Sequence, residues 1–216
     1  MSEQIISTEG FYCVDNARVY DLNECLLAAG YPMRTTTPDM SLAEPAAADV
    51  TRCEKLSKAT VITQNQAHDQ FLTGVRVSFD LHCSNKMWVE VERYRFMEFV
   101  SSQSTMHRIT KFGAYGNYNG YVDDRIVDIM NELITEYNRK LDAGAQVGDE
   151  DMKHLYLAIL YSNPAGFELT ARMTTNYRCL KNIYKQRKDH RLPEWREFCR
   201  WIETLPFAHE LILCDS

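Results

Sequence analysis

The stretch Asn176–Arg187, NYRCLKNIYKQR, decides how the chain is read. It follows the extended-looking segment Phe167–Thr175, and its composition predicts a helix with Thr175 as N-cap. At 100° per residue, Asn176, Leu180, Ile183 and Arg187 share one stripe. That stripe is apolar in the middle and polar at both ends, whereas a packing helix favours Leu or Met throughout. Two readings follow. Either the helix faces the core and its ends reach solvent, or it lies along a ligand, with an amide at its dipole-positive end and a guanidinium about three turns on. Arg178 falls about 200° from Asn176 on the same wheel, which predicts that the two face different surfaces.

Composition narrows the setting. At 216 residues the chain suits one well-buried domain, and 45% hydrophobic with 25% charged residues excludes a disordered or fibrous chain. A net charge of −6 argues against a nucleic-acid duplex or an anionic membrane as the main partner, while leaving room for a local basic pocket for a small phosphate ligand. No apolar run approaches the roughly 18 residues of a membrane span, and MSEQIISTEG lacks the apolar core of a signal peptide, so a cytoplasmic protein is expected. The seven cysteines are odd in number and form no C-x-x-C pair. They predict reduced, mostly buried thiols rather than a zinc site or a disulfide framework.

Taken in order, Phe11–Tyr20 reads as one or two short strands broken at Asp15-Asn16, and Asp21 as the cap of a short helix ending at Gly30. Residues Thr35–Asp49 read as a loop and Ala46–Ser57 as helical. In VRVSFDLH, Val75, Val77, Phe79 and Leu81 alternate with polar residues, the mark of a half-buried strand. Ser84 is placed to cap a following helix that carries Met87, Trp88, Val91 and Arg95 on one face and runs into SSQSTMHR. Lys111–Tyr121 reads as an irregular loop. Val122–Asp142 is the clearest helix, with Ile126, Ile129, Met130, Leu133, Ile134 and Tyr137 as its stripe and Gly144 closing it. Further helices are expected at Asp149–Leu160 and from Pro193.

Basic residues gather in one more place. Arg93, Arg95 and Arg108 bracket a run rich in serine and threonine, a combination suited to phosphate oxygens. The alternative is a solvated face in which Glu90, Glu92 and Glu98 pair with the arginines.

The spacing of Asn176, Arg178, Asn182 and Arg187 resembles the C-terminal motif of the flavin-dependent thymidylate synthases, with Pro164 where that family has its Leu-Pro. Their RHRxxSxNxxSxR motif is matched at Arg93 and Arg95. Tyr94 replaces the histidine, and Glu98 and Val100 fall on the first serine and the asparagine. Ser104 and Arg108 match the closing Ser-x-Arg only if inserted residues are allowed. Glu90 stands at the position of a base-facing glutamine, His68 at that of a flavin-site histidine, and Leu160 at that of a frequent arginine; His190 lies near the family's later histidine.

The resemblance implies an α+β fold, one domain over residues 1–216, with a central mostly antiparallel sheet and several helices. It implies reductive methylation of dUMP to dTMP with FAD as cofactor and methylenetetrahydrofolate and NADPH as co-substrates, in a homotetramer whose flavin pocket is shared between subunits. Flavin contacts fall to His68, Arg93, Arg95, Asn176, Arg178 and Asn182, and nucleotide contacts to Glu90, Ser104, Arg108 and Arg187. No metal is implied. Arg187 takes the catalytic role, because a fixed cation at the uracil edge stabilises negative charge on the ring as an oxyanion hole does. The same scaffold acting on another pyrimidine nucleotide, and an inactive binding or assembly protein that keeps the fold, remain as alternatives.

An ionised Glu90 only accepts hydrogen bonds, whereas glutamine also donates. Glu90→Gln is therefore expected to improve use of dUMP, checked by steady-state kinetics from neutral to mildly alkaline pH. Unchanged kinetics would take Glu90 out of the nucleotide site.

Overall fold

Strand β3, Arg76–Ser84, is the centre of a five-stranded antiparallel sheet with the order β1-β2-β3-β5-β4. The other strands are β1 (Glu3–Ile5), β2 (Val14–Tyr20), β4 (Glu98–Ser102) and β5 (Glu168–Asn176), of which β2 and β5 flank β3. The α-helices are α1 (Leu22–Ala28), α2 (Ala47–Ile62), α3 (Asn85–Val91), α4 (Thr105–Arg108), α5 (Asp124–Asp142), α6 (Glu150–Ser162), α7 (Tyr177–Arg187), α8 (Pro193–Ile202) and α9 (Ala208–Leu211). This computed structural model describes residues 3–40, 44–62, 68–112 and 116–213, without the side chains of 59–62. Cys214 and parts of the two expected loops, residues 41–43 and 113–115, lie outside the described residues. The α+β class is as the sequence implies. Among the described residues, no helix is long and apolar enough to cross a membrane.

The chain divides into two compact units, the first comprising residues 1–81, 91–101 and 172–216 and the second 82–90 and 102–171. In the first unit the alternation of β3 buries Val77, Phe79 and Leu81 completely. The Phe79 ring packs 5.6 Å from Phe198 and 5.0 Å from Trp201, so β3 and α8 share an aromatic core. Asp15-Asn16 interrupts β2 as a β-bulge within one strand. The register shifts between Asp15 and Arg18, and Asn16 adopts a left-handed φ of 50°, which asparagine tolerates. The bulge is held from both sides. Asn16 Nδ2 donates to Asp80 at 2.6 Å, and Arg172 donates to the Asn16 carbonyl at 3.0 Å.

The second unit packs α5 against α6 around Ile109, Met130, Tyr137, Met152 and Ile159. Most of the stripe expected on α5 faces the core, with Leu133 and Ile134 partly buried against it, and Val127 joins it. Val127, Met130 and Tyr137 are buried, whereas Ile126 and Ile129 stay largely exposed on the flank of that line. Asp123, accepting from Arg125 N–H, caps α5, and Gly144 turns the chain beyond its end with φ 97°.

Three local expectations are corrected. Helix α3 stops at Val91, so Arg95 is not on it: Tyr94 N–H bonds the Val91 carbonyl three residues back, which turns the chain out of the helix. Residues expected to continue towards SSQSTMHR form β4 instead, an edge strand exposed at all five positions. The cap of α7 is Asn176 and not Thr175. Its backbone is extended (φ −140°, ψ 165°) and its side-chain oxygen accepts from Cys179 N–H at 2.9 Å. The Ser84 cap of α3 holds, with its hydroxyl accepting from Met87 N–H at 3.3 Å.

Two stability outcomes follow. Phe79→Ala is expected to cost about 3–5 kcal/mol, because a buried ring is lost from a packed aromatic cluster. Asn176→Ala is expected to cost about 1 kcal/mol through loss of the cap, and Asn176→Asp far less. Urea denaturation of the three variants beside wild type checks both.

Candidate active site

The junction of β5 and α7 builds the site. Tyr177, fully buried, donates its N–H to the Val75 carbonyl at 3.0 Å and its hydroxyl to the Pro206 carbonyl at 2.9 Å. These bonds and the Asn176 cap fix where the helix starts and which way its first turn points. Thr175, the preceding residue, donates to the Phe96 carbonyl at 2.9 Å, which holds the segment carrying Arg93 and Arg95 beside the junction.

Along α7 the sequence then separates two faces. Leu180 and Ile183 are completely buried, while Arg178, Asn182 and Lys185 recur at i, i+4 and i+7 on the polar side. That side lines a cavity of about 980 Å³. Arg93, Arg95, Asn176, Arg178, Asn182 and Arg187 all line it, within the first unit. The separation of Asn176 from Arg178 expected from the helical wheel does not occur. Asn176 is an extended cap residue, so the wheel does not reach it. A second cavity of about 510 Å³ shares Thr73, Phe96 and Asn176 with the first.

The charge of the lining is one-sided. Among the described residues, six cations (Arg93, Arg95, Arg178, Lys181, Lys185 and Arg187) face a single carboxylate, Asp69. Asp69 is buried and holds part of that charge in place: its carboxylate lies 3.1 Å from Arg178 Nε and 3.7 Å from Lys181 Nζ. Lys181 also donates to the Ser57 carbonyl at 2.5 Å, and Arg178 to Gln70 at 2.9 Å. Five net positive charges in a concave site make a receptor for phosphate-bearing ligands.

Arg187 is the most enclosed of the six arginine and lysine side chains apart from Lys181, at 8% exposure. Its guanidinium lies 4.9 Å from the centre of the Trp195 ring and 5.6 Å from that of Tyr94, and its Nε donates to the Tyr94 hydroxyl at 2.7 Å. Aromatic faces and the negative end of α7 both favour a cation there, which offsets the desolvation that burial costs. The head of Arg187 is therefore held by the Trp195 ring and the Tyr94 hydroxyl.

Elsewhere the expected residues are placed as follows. His68 is exposed and is not a lining residue, although its neighbours Asp69 and Gln70 are. Glu90, Ser104 and Arg108 belong to the second unit. Glu90 pairs with Lys86 at 3.4 Å, Ser104 precedes the first turn of α4, and Arg108 ends α4 exposed. Residues the sequence did not single out are Asp69, Lys181, Lys185 and Gln186. Of these only Lys185 was within reach, from its i+7 spacing to Arg178. Cys179 also lines the cavity, and burial pushes its thiol up against a smaller opposing effect of the Thr175 hydroxyl, which makes it a poor nucleophile.

No family model and no curated protein matches the sequence. Solved structures are similar to it along nearly their whole length. Thymidylate synthase X (ThyX) from Helicobacter pylori, crystallised with FAD and dUMP, aligns with a TM-score of 0.62 and 13% identity over 99% of each chain. A UMP/dUMP methylase, PolB, from Streptomyces cacaoi, bound with 5-Br dUMP, aligns with a TM-score of 0.60 and 13% identity over 98% of this chain and 95% of that one. Identity this low speaks to architecture alone, and on architecture the chain has the fold of the flavin-dependent thymidylate synthases.

Proposed function

We propose that this chain is a flavin-dependent thymidylate synthase, converting dUMP to dTMP with methylenetetrahydrofolate as carbon donor and NADPH as reductant. The observation that carries the reading is the six-cation cavity, whose lining includes the four motif residues of the β5–α7 junction together with Arg93 and Arg95. The whole chain is read as one such domain, acting in the cytoplasm as a homotetramer, in keeping with alignment over 99% of a ThyX chain.

The residues present fit FAD and a nucleotide monophosphate together. A diphosphate and a monophosphate carry several negative charges, and the lining offers six cations to meet them. Arg93, Arg95, Arg178 and the amides of Asn176 and Asn182 would hold the flavin nucleotide, with Lys181 and Lys185 adding charge. When bound, FAD supplies the redox chemistry, passing on reducing equivalents from NADPH. Arg187 would meet the pyrimidine. It stays protonated, is planar and is held by the Trp195 ring and the Tyr94 hydroxyl, so it presents a fixed positive charge to carbonyl oxygens that gain negative charge during reaction. No protein nucleophile is called for, in keeping with a cavity thiol held neutral.

A second reading keeps the scaffold and changes the nucleotide. It is favoured by the replacement of half of the arginine-serine motif, by Leu160, and by the likeness to a UMP/dUMP methylase. Product analysis with dUMP and UMP separates the two.

Purified protein is expected to take up FAD and turn yellow, as an oligomer by light scattering; a monomer without flavin absorbance after reconstitution defeats the proposal. Arg187→Ala should lower single-turnover methyl transfer by about 10²–10³-fold. Because Arg187 is buried against Trp195 and Tyr94, the same change should also cost about 1–3 kcal/mol in a thermal melt. Arg187→Lys should rescue little, since an ammonium cannot reproduce the planar fork. Arg125→Ala, an exposed change at the start of α5, serves as control and should leave turnover unchanged. Wild-type turnover in folded Arg187→Ala would overturn the mechanism.

A further inference from the structure

Tyr94 stands between two exposed arginines of the cavity, yet its own side chain turns inward to Arg187. An arginine has no acceptor, so the 2.7 Å bond must run from Nε–H to a lone pair of the phenol oxygen. The phenol's one proton is then given to Gln186 Oε1 at 3.0 Å. Donor and acceptor roles are both used, which leaves the hydroxyl one arrangement. Its ring meets that of Trp195 nearly edge-on, with centres 5.7 Å apart, and Trp195 in turn lies against the guanidinium. Tyr94 itself is fixed at the turn after α3, where its N–H bonds the Val91 carbonyl and its carbonyl accepts from Met97 N–H.

We propose that Tyr94 is a positioning residue: its hydroxyl sets the plane of the Arg187 guanidinium and thereby how that group meets the nucleotide. This rests on the role given to Arg187 above. Nε is the atom about which the guanidinium swings, so a bond at Nε decides where the two terminal nitrogens point. The Trp195 ring lies against the guanidinium on one side, and the Tyr94 hydroxyl holds Nε, so the two together limit how the group turns. A phenylalanine keeps the ring contacts and loses the hydroxyl, with its bonds to Arg187 and Gln186.

The test is a double-mutant cycle with Tyr94→Phe and Arg187→Met, the latter keeping an unbranched stem without any donor. Affinity for dUMP is measured by calorimetry on FAD-loaded protein, and FAD affinity separately by absorbance. Tyr94→Phe alone should weaken dUMP about tenfold with FAD affinity unchanged. In the Arg187→Met background the same change should do nothing further. Equal losses in both backgrounds, or no loss in Tyr94→Phe, overturn the positioning role while leaving the functional reading intact. Wild-type protein that takes up FAD but not dUMP overturns the functional reading, and this proposal with it.

Discussion

The structure depends on a change of backbone conformation at one residue. Asn176 ends β5 in an extended state and caps α7 with its side chain, so strand becomes helix without an intervening loop. A loop would have let the first turn of α7 vary in direction. Here the cap, the Tyr177 N–H bond to Val75 and the Tyr177 hydroxyl bond to Pro206 leave it one direction. Every cavity-lining residue of α7 inherits its position from that start, including Arg187 at the far end.

From this junction the cavity is assembled with few covalent neighbours. Asp69 brings the turn before β3 to the cations of α7, and Thr175 ties the Arg93–Phe96 segment to β5. Each is a polar bond made by a buried or shielded group, where an unpaired partner would be costly. Asp69, Gln70 and the Ser57 carbonyl take up donors of Arg178 and Lys181, two of the cations gathered there.

What could be read beforehand follows from how local each signal is. The β3 alternation and the glycine that closes α5 are written in neighbouring residues and were legible. The spacing of Asn176, Arg178, Asn182 and Arg187 was legible as a pattern, and the structure brings all four to one cavity. Strand β4 was not, because an edge strand exposed at every position has no alternation to detect. The helical spacing from Met87 to Arg95 misled for a related reason: a turn closed by one backbone bond leaves no mark in the apolar pattern. Burial of Lys181 was invisible as well. It depends on Asp69, more than a hundred residues away in the chain, and on a backbone carbonyl, which has no residue identity.

The uneven distribution of charge bears on how ligands arrive. The chain carries −6 overall, so a cavity at +5 leaves −11 on the rest of the molecule. An approaching phosphate ester is repelled over most of the surface and attracted at a single opening. Field lines converge on a concave patch of that kind, so diffusing anions are funnelled to it and turned away elsewhere. Such guidance acts across roughly a Debye length, about 8 Å at physiological ionic strength, and fades as salt is added. The two anionic ligands proposed for the site would therefore be drawn by the same field, and the first to bind would screen it for the second.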